Sequence, residues 1–183
     1  FRNSSLPAES FGTSPVNMWG RAASSSREQA RVTSFLFRVR RNLDLTYIVM
    51  NNQIYGLTTG QALPATMKEV KTKATLRGNA EQPINPIARA LVPGATHISG
   101  TFWGEPNSMA DSIAGAIAHR GFSLVDVFSP CVTCNNINTD PWLKQRVYQL
   151  EKEAGCDAGD DSKARQRSGE WGDRIPIGLL YSG

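Results

Sequence analysis

Cysteine is scarce in this chain, with three among 183 residues. That is too few for a disulfide framework and leaves a reducing, cytoplasmic setting as the default. No apolar run approaches the length needed to span a bilayer, and the start carries neither an apolar signal core nor a cleavage pattern. A membrane is therefore not expected as a partner. No internal repeat is visible either. The net charge of +4 looks basic, but residues 1–41 hold seven arginines against Glu9 and Glu28, and the remainder is close to balance. The arginine-bearing piece lacks the aromatic interleaving or fold signature of a nucleic-acid binder, so nucleic acid is not expected as a partner. What is present is enough chain for one domain with a substantial core.

The most informative stretch is Leu43 to Gln61, LDLTYIVMNNQIYGLTTGQ. Leu45 to Met50 form a β-branched, aromatic and apolar run, suited to a strand buried on both faces of a parallel sheet. Two amides follow, Asn51 and Asn52, then a loop with Gly56, Thr58, Thr59, Gly60 and Gln61. In open α/β sheets ligands bind just beyond the carboxyl ends of strands. Neutral oxygen donors and backbone carbonyls placed there suit Mg²⁺ together with phosphate oxygens, and glycines let backbone approach closely. The alternative is a buried strand followed by an ordinary polar turn.

Further on, Asn85-Pro86 predicts the cap and first residue of a short helix. Gly94 to Ile98 reads as a second strand, in which His97 is structural. Met109, Ile113, Ala116 and Ile117 fall on one helical face, with His119 and Arg120 in the last turn and Gly121 ending it. Ser123 to Phe128 is a third strand, delivering Ser129-Pro130-Cys131 to the same end of the sheet. Cys131 and Cys134 make one C-x-x-C, half of a structural zinc site, and they lack the helix start of a thioredoxin-type pair. Asp140-Pro141 opens a helix with Leu143, Val147, Leu150 and Ala154 on one face. A polar loop over 155–161 leads to a helix ending near Trp171, and Ile175 to Tyr181 reads as an edge strand because of Pro176. The alternation implies an α/β fold with a mostly parallel sheet flanked by helices.

From about Phe35 to the end, and most closely in RRNLDLTYIVMNNQIYGLTTGQ, the chain resembles the β subunit of 2-oxoacid:ferredoxin oxidoreductases. These are thiamine diphosphate enzymes acting on pyruvate or 2-oxoglutarate. The resemblance implies an incomplete thiamine diphosphate-binding fold over 35–183. In that family an acidic GDGD turn, the second Asn and a carbonyl two residues later hold Mg²⁺. The matching positions are Asn52 and Ile54, and Tyr55, Gly56, Leu57 and Thr58 match the loop along the diphosphate. Cys131, in FSPCVTxN, matches a ligand of a [4Fe–4S] cluster, whereas Cys134 stands where an aromatic is usual. Lys71, Thr72 and Lys73 match a TKT segment, with a solvated charge run as the alternative. Thr59, Leu63 and Ala65 depart from the family's TKGQxSPT.

The implied reaction is oxidative decarboxylation of a 2-oxo acid to an acyl-CoA. Its partners would be the α subunit of the same enzyme, ferredoxin, coenzyme A and the 2-oxo acid. The acid that activates the cofactor lies on the α subunit, so no catalytic acid or base is expected here. Residues 1–34 do not fit the pattern. Where GDGD would fall the chain reads Arg21 to Ala30, RAASSSREQA, and the family's N-terminal C-x-x-C and third Cys have no counterpart. An out-of-frame start of a truncated gene and a natural disordered extension both stay open. The chain by itself is expected to bind the cofactor weakly or not at all and to form no cluster. The rivals are another thiamine diphosphate decarboxylase or synthase, and an inactive remnant or basic binding protein.

Overall fold

The computed structural model of the chain describes residues 34–56, 60–73 and 75–183. Nearly all of the anomalous segment 1–34 therefore lies outside the described residues, as do Leu57 and Thr58. The first element is helix α1, residues 34–40. Phe35 and Val39, four apart, turn one side inward, and Phe35 meets Tyr47 and Phe122 edge-on at 5.4 and 5.6 Å between ring centroids.

Strand β1 (Leu45–Asn51) follows, then a long loop to α2 (Pro86–Leu91), β2 (His97–Phe102), α3 (Pro106–Ala118) and β3 (Phe122–Phe128). The tail adds α4 (Asp140–Lys144), β4 (Val147–Gln149), a 3₁₀ turn (Leu150–Lys152), α5 (Asp161–Ser168) and β5 (Ile175–Ser182). The sheet runs β1-β3-β2-β5-β4. β1, β3 and β2 are parallel, β5 is antiparallel to β2, and β4 is parallel to β5. An α/β fold with a mostly parallel, helix-flanked sheet is what is found.

Alternation along β3 divides the core. Phe122 and Leu124 pack with Val39, Ile87, Leu91, Ala164 and Leu180, so α1, α2 and α5 share one face. Val125 and Val127 point the other way, against Met109, Ile113 and Ala116 of α3. Asn85 caps α2 as its sequence suggests, accepting from the Ile87 and Ala88 amides at 2.9 and 3.1 Å.

Four expectations need correction. β1 lies at the end of the sheet and is covered on one face only, with Ile48 and Met50 42% and 49% exposed. In α3, Ile117 faces solvent, and His119 and Arg120 lie beyond the last helical turn. The helix opened by Asp140 stops at Lys144, because the Arg146 carbonyl is taken by the Ile175 amide at 2.9 Å and Val147–Gln149 pair with β5. β5 is therefore interior. Pro176 is tolerated because the ladder to β2 begins only at Gly178. The 3₁₀ turn still buries Leu150, so the apolar spacing was real while the element type was not.

Candidate functional site

β1 and β3 end in register, Asn51 opposite Phe128, and the Ser129 amide donates to the Asn51 carbonyl at 3.0 Å. The chain turns sharply after Asn51. Asn52 Oδ1 accepts from the Ile54 amide at 3.3 Å, a local side-chain turn of the kind asparagine favours. Between them Gln53 has φ of 56°, left-handed for a residue with a side chain, and such strain persists only where surroundings impose it. The Thr66 hydroxyl does so, donating to the Gln53 carbonyl at 2.7 Å. Ile54 anchors the turn with a buried side chain. Tyr55 and Gln61 then close a small loop, the Tyr55 amide donating to the Gln61 carbonyl at 2.9 Å. Gly60, at φ 97°, makes that closure possible.

The loop leaving β3 is tied to this turn by side chains. Asn135 Nδ2 donates to the Asn52 carbonyl at 3.2 Å, while its Oδ1 accepts the Ile137 and Asn138 amides. Asn138 Nδ2 donates to Gln53 Oε1. Cys134 Sγ lies 3.7 Å from the Gly56 carbonyl. A β-carbon at Gly56 would sit 3.2 Å from Cys131 Sγ, so Gly56 is the residue that lets the thiol approach. Sequence reasoning placed Asn52, Ile54, Tyr55, Gly56 and Cys131 as candidates, and the structure gathers them at one end of the sheet. Leu57 and Thr58 lie outside the described residues. Asn135 and Asn138 were legible only as polar residues after a C-x-x-C.

The two thiols are unequal. Burial pushes Cys131 up, but the amides of Thr133, Cys134 and Asn135 and the Cys134 thiol outweigh it and bring Cys131 below its ordinary value. Burial and Cys131 raise Cys134, against which the Lys73 ammonium pulls it down. Lys73 is thus near the cysteine loop, and its amide donates to the Gly60 carbonyl at 3.3 Å.

Behind Asn51 lies a residue that no short motif announces. Asp126 is 1% exposed, with Oδ2 accepting from Asn51 Nδ2 at 3.3 Å and Oδ1 without a hydrogen-bond partner among the described residues. Burial raises its pKa to about 7, opposed by the Asn51 bond. It borders a cavity of about 180 Å³ that Gln53, Asn85, Phe128 and Trp171 also line.

The donor set can be tested against the ions the sequence suggested. Asn52 Oδ1 and the Ile54 carbonyl are neutral oxygens in one turn, and no described residue donates to that carbonyl. Among the described residues no three His, Cys, Asp or Glu side chains converge. The turn thus fits part of a hard-cation site and lacks a carboxylate. A [4Fe–4S] cluster needs four thiolates, and the chain has three cysteines, of which Cys156 is exposed in the loop before α5. These residues alone do not fit a whole cluster. No helix among the described residues is long and apolar enough to cross a membrane.

Comparison with known proteins agrees with this layout. Residues 29–127 match the family model described as thiamine pyrophosphate enzyme, C-terminal TPP binding domain. Residues 131–183 match the model for the C-terminal region of the pyruvate ferredoxin oxidoreductase beta subunit. The chain is 42% identical over 159 residues to a 2-oxoacid:ferredoxin oxidoreductase subunit beta of Saccharolobus solfataricus, covering 82% of this chain and 52% of that relative. It is 37% identical over 110 residues to the 2-oxoglutarate synthase subunit KorB of Archaeoglobus fulgidus, covering 60% and 41% respectively. Among solved structures, a 2-oxoglutarate:ferredoxin oxidoreductase from Magnetococcus marinus, with 2-oxoglutarate, coenzyme A and succinyl-CoA bound, superposes with a TM-score of 0.78 at 34% identity. That match covers 86% of this chain and 53% of the other. The chain spans about half the length of the curated relatives it matches.

Proposed function

Since the chain belongs to the thiamine pyrophosphate enzymes, among the 2-oxoacid:ferredoxin oxidoreductase β subunits, we propose that it supplies the diphosphate-gripping part of such a β subunit. The complete enzyme would convert a 2-oxo acid, pyruvate or 2-oxoglutarate, to its acyl-CoA and pass the electrons to ferredoxin. Its α subunit would finish the active centre. The observation that carries the reading is the strained turn after β1, stitched to the loop bearing Cys131 at the carboxyl end of parallel strands.

In this reading Asn52 Oδ1 and the Ile54 carbonyl would hold Mg²⁺, with a carboxylate supplied from elsewhere. Tyr55 and Gly56 would contribute to holding the diphosphate, together with Leu57 and Thr58 as the sequence resemblance implies. Bound thiamine diphosphate supplies the carbanion chemistry by which the 2-oxo acid loses CO₂. The chain's own task is to grip and orient. Neutral oxygens suit Mg²⁺ shared with phosphate, and the asparagine ties fix the turn before the ligand arrives, so less ordering cost falls on binding. Cys131 would be one of four cluster ligands, the other thiolates coming from outside these 183 residues. The cytoplasm is the compartment this chemistry and the free thiols suit.

Calorimetry of the chain with Mg²⁺ and thiamine diphosphate tests the reading. We expect weak binding that needs both components and disappears in Asn52→Ala. Micromolar binding by the chain alone would show that the missing carboxylate was misplaced. Binding unaffected by Asn52→Ala would remove the metal assignment.

A further inference from the structure

Asp126 is a buried carboxyl that the proposed grip does not yet use. A buried carboxyl with an orphan oxygen is costly, and an apolar residue of similar volume would generally suit such a position better. Its single described side-chain partner is Asn51, the last residue of β1 before Asn52. Asn51 is held twice by β3 and its exit. Asp126 takes the side-chain amide, and the Ser129 amide takes the main-chain carbonyl. One short stretch thereby fixes the pose in which β1 ends and, five residues past Asp126, the start of the Cys131 loop.

We propose that Asp126 is a positioning residue for the metal turn: through Asn51 it sets the direction in which Asn52 and Ile54 leave the sheet. The naming of that turn as a metal turn rests on the proposed function; the mechanical coupling does not. The surroundings leave little else for Asp126 to do. Of the charged groups that line its cavity, Arg167 and Glu170 are paired to each other at 2.9 Å. α2 brings only Pro86 and Ile87 to the cavity, and β2 places Gly100 opposite Asp126. Burial and the Asn51 amide therefore govern the carboxyl, which changes protonation near neutrality. The cavity of about 180 Å³ is larger than one water needs, so solvent can exchange that proton.

The experiment is a pH titration of the ¹⁵N-labelled 183-residue chain, following the Asn51 side-chain amide and the Asn52 and Ile54 backbone amides. We expect all three to titrate together with a midpoint of about 7, and to be flat in Asp126→Asn. That variant keeps an acceptor for Asn51, so its signals should stay near the wild-type low-pH positions. Asp126→Leu should displace the Asn52 and Ile54 signals at every pH while leaving Phe35 and Val39 in place. Flat wild-type signals, or Asn52 and Ile54 unmoved in Asp126→Leu, would overturn the proposal. Should the leucine variant fail to fold, the loss or persistence of titration in Asp126→Asn decides alone. Cofactor binding indifferent to Asn52→Ala would count against the cofactor reading and leave this titration untouched.

Discussion

At the amino end of the β1–β3 pair, Asn42 Oδ1 accepts the Phe122 amide at 2.7 Å and the Thr96 hydroxyl at 2.8 Å, while the Gly121 amide donates to Asp44 at 3.4 Å. Beneath them Phe35, Tyr47 and Phe122 interlock. At the carboxyl end of the same two strands, side-chain amides again bridge the chains, through Asn135, Asn138 and Asn51. There they leave capacity over. The Ile54 carbonyl and Asp126 Oδ1 take no hydrogen bond from a described residue, and Cys131 is partly open to solvent. One end closes on itself and serves stability. The other holds a strained turn in place and leaves the Ile54 carbonyl and Asp126 Oδ1 without a donor among the described residues, as suits a binding edge.

The largest expected effect lies at the closed end. Phe122 is fully buried, and Phe122→Ala should cost about 3–5 kcal/mol in denaturant unfolding. A loss under about 1 kcal/mol would mean that this end is not the stabilising one.

Next is a pH effect specific to the open end. Asp126 ionises at about 7 when folded, against an ordinary 3.8, so between those values the native state holds the extra proton. Its contribution is fully present below the lower value, falls as pH rises toward the higher, and is flat above it. The difference is on the order of a few kcal/mol. Asp126→Asn should remove that slope from unfolding measured across this range, and an unchanged slope would assign it to another group.

A pair of variants then compares the two sets of amide bridges. Asn42→Ala leaves the buried Phe122 amide without its acceptor and should cost about 1–3 kcal/mol. Asn135→Ala frees the Asn52 carbonyl and also strips the Ile137 and Asn138 amides of their acceptor, and should cost about 1–3 kcal/mol as well. Its distinguishing effect should be faster amide exchange at Gln53 and Ile54. Equal losses without that exchange would erase the distinction between the ends. The smallest effect belongs to Arg120→Ala. The Arg120–Asp44 pair is 92% and 63% exposed, so stability should move by well under 1 kcal/mol, less still at high salt.

Much of this was legible because it is local. The β-branched run of β1, the Asn-Pro start of α2 and the strand ending in Ser-Pro-Cys each carry their signal within a few residues. Resemblance through Asn52 and Cys131 is the source of the chemistry proposed for the site. β4 was not legible: three residues of strand have no pattern of their own and exist because β5 pairs with them. The interior place of β5 was hidden for the same reason, as was the exposed face of β1, which depends on what covers it. The ties from Asn135 and Asn138 to the turn, and the role of Asp126, join positions 75 or more apart in sequence. Such contacts follow from the fold and leave no spacing to read.

The central claim is that the turn after β1 grips a metal-bound diphosphate, and a paramagnetic ion tests it most directly. Mn²⁺ in place of Mg²⁺, added with thiamine diphosphate to the labelled chain, should broaden the amide signals of Asn52, Gln53 and Ile54 first and those of the Cys131 loop next. Asn52→Ala should abolish that order. Broadening centred elsewhere, or centred here but indifferent to the cofactor and to Asn52→Ala, would contradict the account.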